Sequence, residues 1–137
     1  PLVLEILNDI QNEKIKTKEE IQQEIKLKLY QVYKPFLNFN SNQENFSTTY
    51  DKLQCYQFIE GNEVINGDYI RYLNPKYFYD IQLMKGGFVS SLDTKKKQIM
   101  LVNGNKVINI KYIGLCLFRK LDGGYIIKQK ILASLEI

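Results

Sequence analysis

The chain contains no histidine. That absence removes the commonest general base, the Ser-His-Asp and Cys-His nucleophile arrangements, and imidazole zinc sites. Two thiols remain. Cys55 and Cys116 lie far apart and outside any Cys-x-x-Cys spacing, and Cys116 sits among Leu115, Leu117 and Phe118, where a thiol serves as a small core hydrophobe. Carboxylates can hydrolyse without histidine. Glu60, Glu63 and Asp68 are close in sequence, but they flank turns, where acidic side chains are solvated or bind local amides. The glycines form neither a P-loop nor a Gly-x-Gly-x-x-Gly run opening a helix, so nucleotide binding has no signature. We expect a protein that is not an enzyme and requires no cofactor or metal.

The densest chemistry is aromatic. Tyr69, Tyr72, Tyr77, Phe78 and Tyr79 crowd a segment that also carries Arg71 and Lys76, and aromatic faces beside cations are what single-stranded nucleic acid stacks on. The same rings can instead be core or protein contact, because a chain without Trp must fill its interior with Tyr and Phe. Two apart on a strand, Tyr69 and Arg71 share a face, as do Tyr77 and Tyr79 if that segment is extended. Tyr69, Arg71, Tyr72, Lys76, Tyr77 and Tyr79 are therefore the candidate binding residues. A protein partner is the first reading and nucleic acid the alternative. The net charge of +4 favours an anionic surface, yet Arg occurs only at Arg71 and Arg119 and no basic face is clustered. Lys95, Lys96 and Lys97 belong at a solvated hairpin tip.

The elements that must position these residues are of two kinds. Val3, Ile6, Leu7 and Ile10 recur at helical spacing and predict a short helix ending near Asn12. Thr17 and Glu20 form a capping box ahead of an apolar stripe of Ile21, Ile25, Leu29 and Val32, and Pro35 ends that helix by pushing Lys34 out of the helical region. Glu24 and Lys28 form an i,i+4 pair worth about 0.2–0.5 kcal/mol. Residues 36–51 are rich in Asn, Ser and Thr and predict a polar linker. Short strands follow at 68–73, 81–84, 88–92, 98–102, 106–112, 115–121 and 125–131, cut by Asn66-Gly67, Gly86-Gly87, Asn103-Gly104 and Asp122-Gly123. Asn103-Gly104 predicts a two-residue hairpin. The fold class is α+β: a helical arm (1–35), the linker (36–51), and a small antiparallel β-barrel or meander sandwich (52–137).

Gly67-Asp68-Tyr69-Ile70-Arg71-Tyr72, then Gly86-Gly87-Phe88-Val89, Ile99 to Val102 and Val107 to Ile110 resemble the strand order of SH3-like and Tudor-like barrels. They are also similar to small domains of large DNA viruses of protists. The resemblance covers roughly residues 60–120, and its motifs are short. It implies an SH3-like barrel and a structural role in a virion or virus factory. The chain lacks the Trp of a proline-peptide groove.

Ile, Lys, Asn and Tyr are abundant in the composition, as AT-rich codons would make them. Two cysteines and no signal-peptide pattern point to a reducing, intracellular compartment, and apolar runs such as Ile99 to Val102 are too short for a membrane span. The chain begins at Pro1 and stops in an apolar run, which suggests part of something longer. Leu2, Leu4, Leu135 and Ile137 are the expected contacts to other chains of an assembly. The function expected is a protein-interaction or scaffolding module.

Overall fold

The computed structural model describes residues 2–12 and 15–135. Its elements run α1 (Leu2–Gln11), α2 (Lys18–Tyr33), α3 (Asn40–Lys52), β1 (Tyr56–Ile59), β2 (Tyr69–Leu73), β3 (Leu83–Asp93), β4 (Gln98–Asn103), β5 (Lys106–Lys111), β6 (Cys116–Lys120) and α4 (Gly123–Leu135). Short 3-10 turns stand at Lys34–Phe36 and Gly61–Glu63.

Thr17 caps α2, its Oγ1 accepting the Glu20 N–H at 3.1 Å, but the return bond from the Thr17 N–H to the Glu20 carboxylate that would complete the expected capping box is not formed. Ile21, Ile25, Leu29 and Tyr33 form the buried stripe. Two other local expectations need correction. Lys34 keeps a right-handed helical conformation (φ −49°, ψ −48°); Pro35 interrupts α-helical bonding because it offers no N–H. Glu24 binds Lys16 at 2.7 Å instead of Lys28, whose ammonium lies 5.0 Å from the centre of the Phe58 ring.

The stretch expected as a linker folds as α3. Phe46, Tyr50 and Leu53, at i, i+4 and i+7, turn one side of it into the core. Residues 125–131, expected as a strand, belong to α4. Asp122 starts that helix: its carboxylate accepts the Tyr125 N–H at 2.7 Å and its carbonyl the Ile126 N–H at 3.2 Å.

The sheet is antiparallel throughout, in the order β1-β6-β2-β3-β4-β5. A meander therefore holds for β2 to β5, while β6 returns to lie between β1 and β2. The expected strands at 81–84 and 88–92 are one strand, because Gly86-Gly87 makes a bulge and not a turn. Across from β2, Ile70 pairs with Gly87 and Tyr72 with Met84, leaving two residues of β3 opposite Arg71. Gly86 takes φ +63°, and a methyl group there would run into the Ile70 carbonyl. A second register shift, between Val89 and Ser91, bends the same strand again. The β4–β5 hairpin forms, but Asn103 pairs with Lys106, so its two loop residues are Gly104 and Asn105. With φ +60° at the first loop position, Gly104 fits a type II′ turn.

These bends curl the sheet without closing it into the expected barrel; β1 and β5 remain its edges. On the concave side Ile59, Val64, Ile70, Tyr72, Val89, Ile99, Leu101 and Leu117 form one core cluster. Gly61 lies so close to the Tyr112 ring that a methyl group would not fit between them. On the other face α2 and α3 bury Tyr56, Leu73, Ile81, Cys116 and Phe118. A third, smaller cluster joins Ile6 of α1 to Leu132 of α4, flanked by Lys128 contacts to Asp9 (3.3 Å) and Glu5 (3.5 Å). Among the described residues no helix is long and apolar enough to cross a membrane.

Candidate functional site

Strand alternation divides the three candidate residues on β2 between opposite faces of the sheet, and the other three lie on the loop beyond it. Tyr69 and Arg71 face the helices, where Tyr69 stands edge-on to Phe88 (centroids 4.9 Å apart) and donates its hydroxyl to the Lys85 carbonyl at 3.2 Å. Arg71 Nε donates to the Met84 carbonyl at 3.2 Å. Tyr72 points the other way, buried in the concave core, and burial raises its phenol above the usual tyrosine value. Tyr77 and Tyr79 stand 55% and 56% exposed on the β2–β3 loop. Lys76 is exposed beside them, its N–H held by Asn74 Oδ1 at 3.1 Å.

Three of the six meet in one groove. Tyr72, Tyr77 and Tyr79, with Met84, Ile110 and Leu115, line an opening of about 540 Å³ at the rim of the curled sheet. Ile110 and Leu115 pack on the concave core, so the groove opens onto it. Its polar members are Asn74, Asp80, Gln82 and Lys111. Asp80 is already engaged, Oδ1 accepting from Asn45 at 2.7 Å and Oδ2 from Gln82 at 2.9 Å. Arg71, Tyr69 and Lys76 do not line the groove.

The loop that carries the two exposed tyrosines is pinned by residues of the segment expected as a linker. Asn42 is fully buried (0%). Its Nδ2 donates to the carbonyls of Phe36 (3.0 Å) and Phe78 (2.6 Å), and its Oδ1 accepts the Ile81 N–H at 2.8 Å. Ser41 donates to the Tyr79 carbonyl at 2.7 Å. The Tyr33 hydroxyl donates its one proton to the Ile81 carbonyl at 2.6 Å, so Thr49, 3.1 Å away, is the donor to the Tyr33 oxygen. Phe78 turns back onto Phe36 and Phe39, with centroids 5.6 and 5.7 Å away. Its neighbours Tyr77 and Tyr79 are left projecting at the groove. The helical spacing of Phe46, Tyr50 and Leu53 was the available signal for α3; nothing in the sequence marked Asn42.

A larger groove of about 910 Å³ lies at the β1–β6 end, with Arg119 among its lining residues. Arg119 is committed to the fold: Nη1 donates to the Glu63 carbonyl (3.1 Å) and Asp68 Oδ2 (3.2 Å), and the Gln57 amide, once turned so that its oxygen faces the guanidinium, accepts from Nε and Nη2 at 3.2 and 2.8 Å. The carboxylates weighed for hydrolysis have local partners as well. Glu63 Oε1 accepts the Glu60 N–H at 2.8 Å, and Asp68 Oδ2 accepts the Ile65 N–H at 3.0 Å. Cys116 is buried and its thiol pushed up by that burial, while Cys55 is exposed.

Of the expected assembly contacts, Leu4 on α1 is 62% exposed and Leu135 on α4 is 51% exposed. The side chain of Leu2 and the whole of Ile137 lie outside the described residues.

No family model, curated protein or solved structure matches the chain, so the SH3-like, Tudor-like and viral likenesses stand on their short motifs alone.

Proposed function

We propose that this chain is a non-enzymatic protein-interaction module, and that the groove of Tyr72, Tyr77 and Tyr79 seats a short segment of a partner chain within a larger assembly. The observation that carries this reading is the fixing of Tyr77 and Tyr79. Both residues are more than half exposed, yet the backbone from Phe78 to Ile81 is tied to α3 and to Tyr33. A loop held in place before binding loses little backbone freedom when a partner covers it, and the apolar ring surface removed from water contributes roughly 25 cal/mol per Å². The groove's polar members are amides and one opposed pair, Asp80 and Lys111, a set suited to the backbone of a peptide.

The nucleic-acid alternative asks for cations beside the rings. Arg71 lies across the sheet and is bound to a carbonyl, which leaves Lys111 in the groove's lining and Lys76 beside the two rings as the cations this reading would use. Val3, Leu4 and Leu7 of α1, all exposed, give the assembly reading its second support.

Selection of peptides from a displayed library on the full chain, with counter-selection on a Tyr77→Ala/Tyr79→Ala variant, tests the reading. Peptides carrying an aromatic or aliphatic anchor are expected, bound by the wild-type chain and lost on the double variant. Single-stranded DNA or RNA that binds with a steep salt dependence, and loses affinity on Tyr77→Ala/Tyr79→Ala, would replace it with the nucleic-acid reading.

A further inference from the structure

The groove adjoins an open strand edge. β5 pairs with β4 alone, and the two-residue hairpin sets which of its backbone groups are used. Asn103 and Lys106 flank the turn and so exchange hydrogen bonds; by alternation Lys106, Ile108 and Ile110 face β4, while Val107, Asn109 and Lys111 turn their N–H and C=O groups outward. The bond from Tyr112 N–H to the Lys97 carbonyl (3.0 Å) continues the same alternation. Val107 is 61% exposed, and Ile110 and Lys111 line the groove itself.

Charge says what this edge takes. Lys106 and Lys111 end the strand, and Lys95, Lys96 and Lys97 stand at the neighbouring β3–β4 tip. Among the described residues none of the five is in an ion pair. Two copies of β5 running antiparallel would set Lys106 against Lys111, like charge on like, so the lysines disfavour self-pairing. The same lysines attract a strand with a carboxylate at each end.

We infer that the outer edge of β5 is a strand-addition site for an extended, acidic segment of a partner protein. The inference rests on the groove reading above and extends it along the adjoining edge. Added antiparallel, the segment places an acid opposite Lys111, an apolar residue beside Ile110 at the groove's rim, a polar residue opposite Asn109, apolar residues opposite Ile108 and Val107, and an acid opposite Lys106.

The probe is a capped peptide containing Glu-Val-Thr-Val-Val-Glu, titrated into the full chain labelled with nitrogen-15. The amides of Val107, Asn109 and Lys111 should shift and gain protection from exchange. Lys106→Glu and Lys111→Glu should each weaken binding by at least roughly 1.5- to 5-fold, and together restore binding to the peptide with both acids changed to Lys. Asn109→Pro removes an outward N–H and none bonded to β4, so a variant that melts normally should lose binding. Equal binding of the acidic and basic peptides to the wild-type chain would overturn the inference. Dimers in light scattering that disappear on Asn109→Pro would also overturn it, because the occupant would then be a second copy. The two readings fail separately. Peptide binding that survives Asn109→Pro but not Tyr77→Ala/Tyr79→Ala removes the edge and keeps the groove. Shifts on β5 that are indifferent to the tyrosine variant support the edge and remove the groove.

Discussion

A side-chain amide can stand in for a stretch of backbone, and Asn42 does so under the β2–β3 loop by serving Phe36, Phe78 and Ile81 at once. Removing it leaves the Ile81 N–H buried without an acceptor, and an unsatisfied buried group costs about 1–3 kcal/mol. Asn42→Ala is therefore expected to lower stability by roughly 2–3 kcal/mol and to speed amide exchange at residues 77–81; denaturant melts and hydrogen exchange read the two effects. Little exchange difference at those residues would mean that Asn42 is not their anchor. Alkali tests the same interior through its phenols. Burial raises Tyr33, Tyr56 and Tyr72 above the ordinary tyrosine value, with the Arg71 guanidinium pulling Tyr56 part of the way back. In the unfolded chain these phenols ionise near pH 10. The unfolded state thus loses those protons first, so their contribution to stability is complete below about pH 10 and falls as pH rises through the folded values. Melting temperature should begin to fall once the unfolded Cys116 thiol ionises, at about pH 8.5, and drop further above about pH 10, with Tyr33, Tyr56 and Tyr72 reaching tyrosinate only at higher pH. Ionisation of these three phenols at the ordinary tyrosine value in the folded protein would contradict the burial described.

The strands were more legible than the helices that support them, and β3 is the instructive case. Gly86-Gly87 reads as a turn because a positive-φ glycine is what a turn requires; the same conformation serves a bulge, and only the partner strand distinguishes them. Gly86→Ala should cost more than about 3 kcal/mol, since both the φ of +63° and the Ile70 carbonyl oppose a methyl group. Gly104→Ala shares the positive φ but meets open space, and about 1–2 kcal/mol is expected. Equal costs in denaturant melts would mean that the bulge is not where β3 bends. For α3 the apolar spacing of Phe46, Tyr50 and Leu53 is hidden among Asn, Ser and Thr that read as a linker, and of these Ser41, Asn42 and Asn45 bind the loop. For α4 the β-branched run at Ile126 and Ile127 suggested a strand. Both edges of β6 are already taken by β1 and β2, and Tyr125, Gln129 and Leu132 recur at helical spacing on the packed side. Of the site, Tyr72, Tyr77 and Tyr79 could be named from the sequence. Their separation from Arg71 depended on the placement of the loop beyond β2, which the sequence does not reveal.

In the whole molecule a single bent sheet serves two cores, one shared with α2 and α3 and one within its own curl. Leaving that curl unclosed creates both the groove at its rim and the free edge of β5. On the proposed function, Tyr77 and Tyr79 are covered by a partner protein where this chain works. Hydroxyl-radical footprinting of both rings, in the isolated chain and in its native complex, tests it whatever the partner's identity. Strong modification of both rings is expected in the isolated chain, protection of both in the complex, and protection that persists after nuclease digestion. Rings equally reactive in the two settings, or protection that nuclease removes, would contradict it.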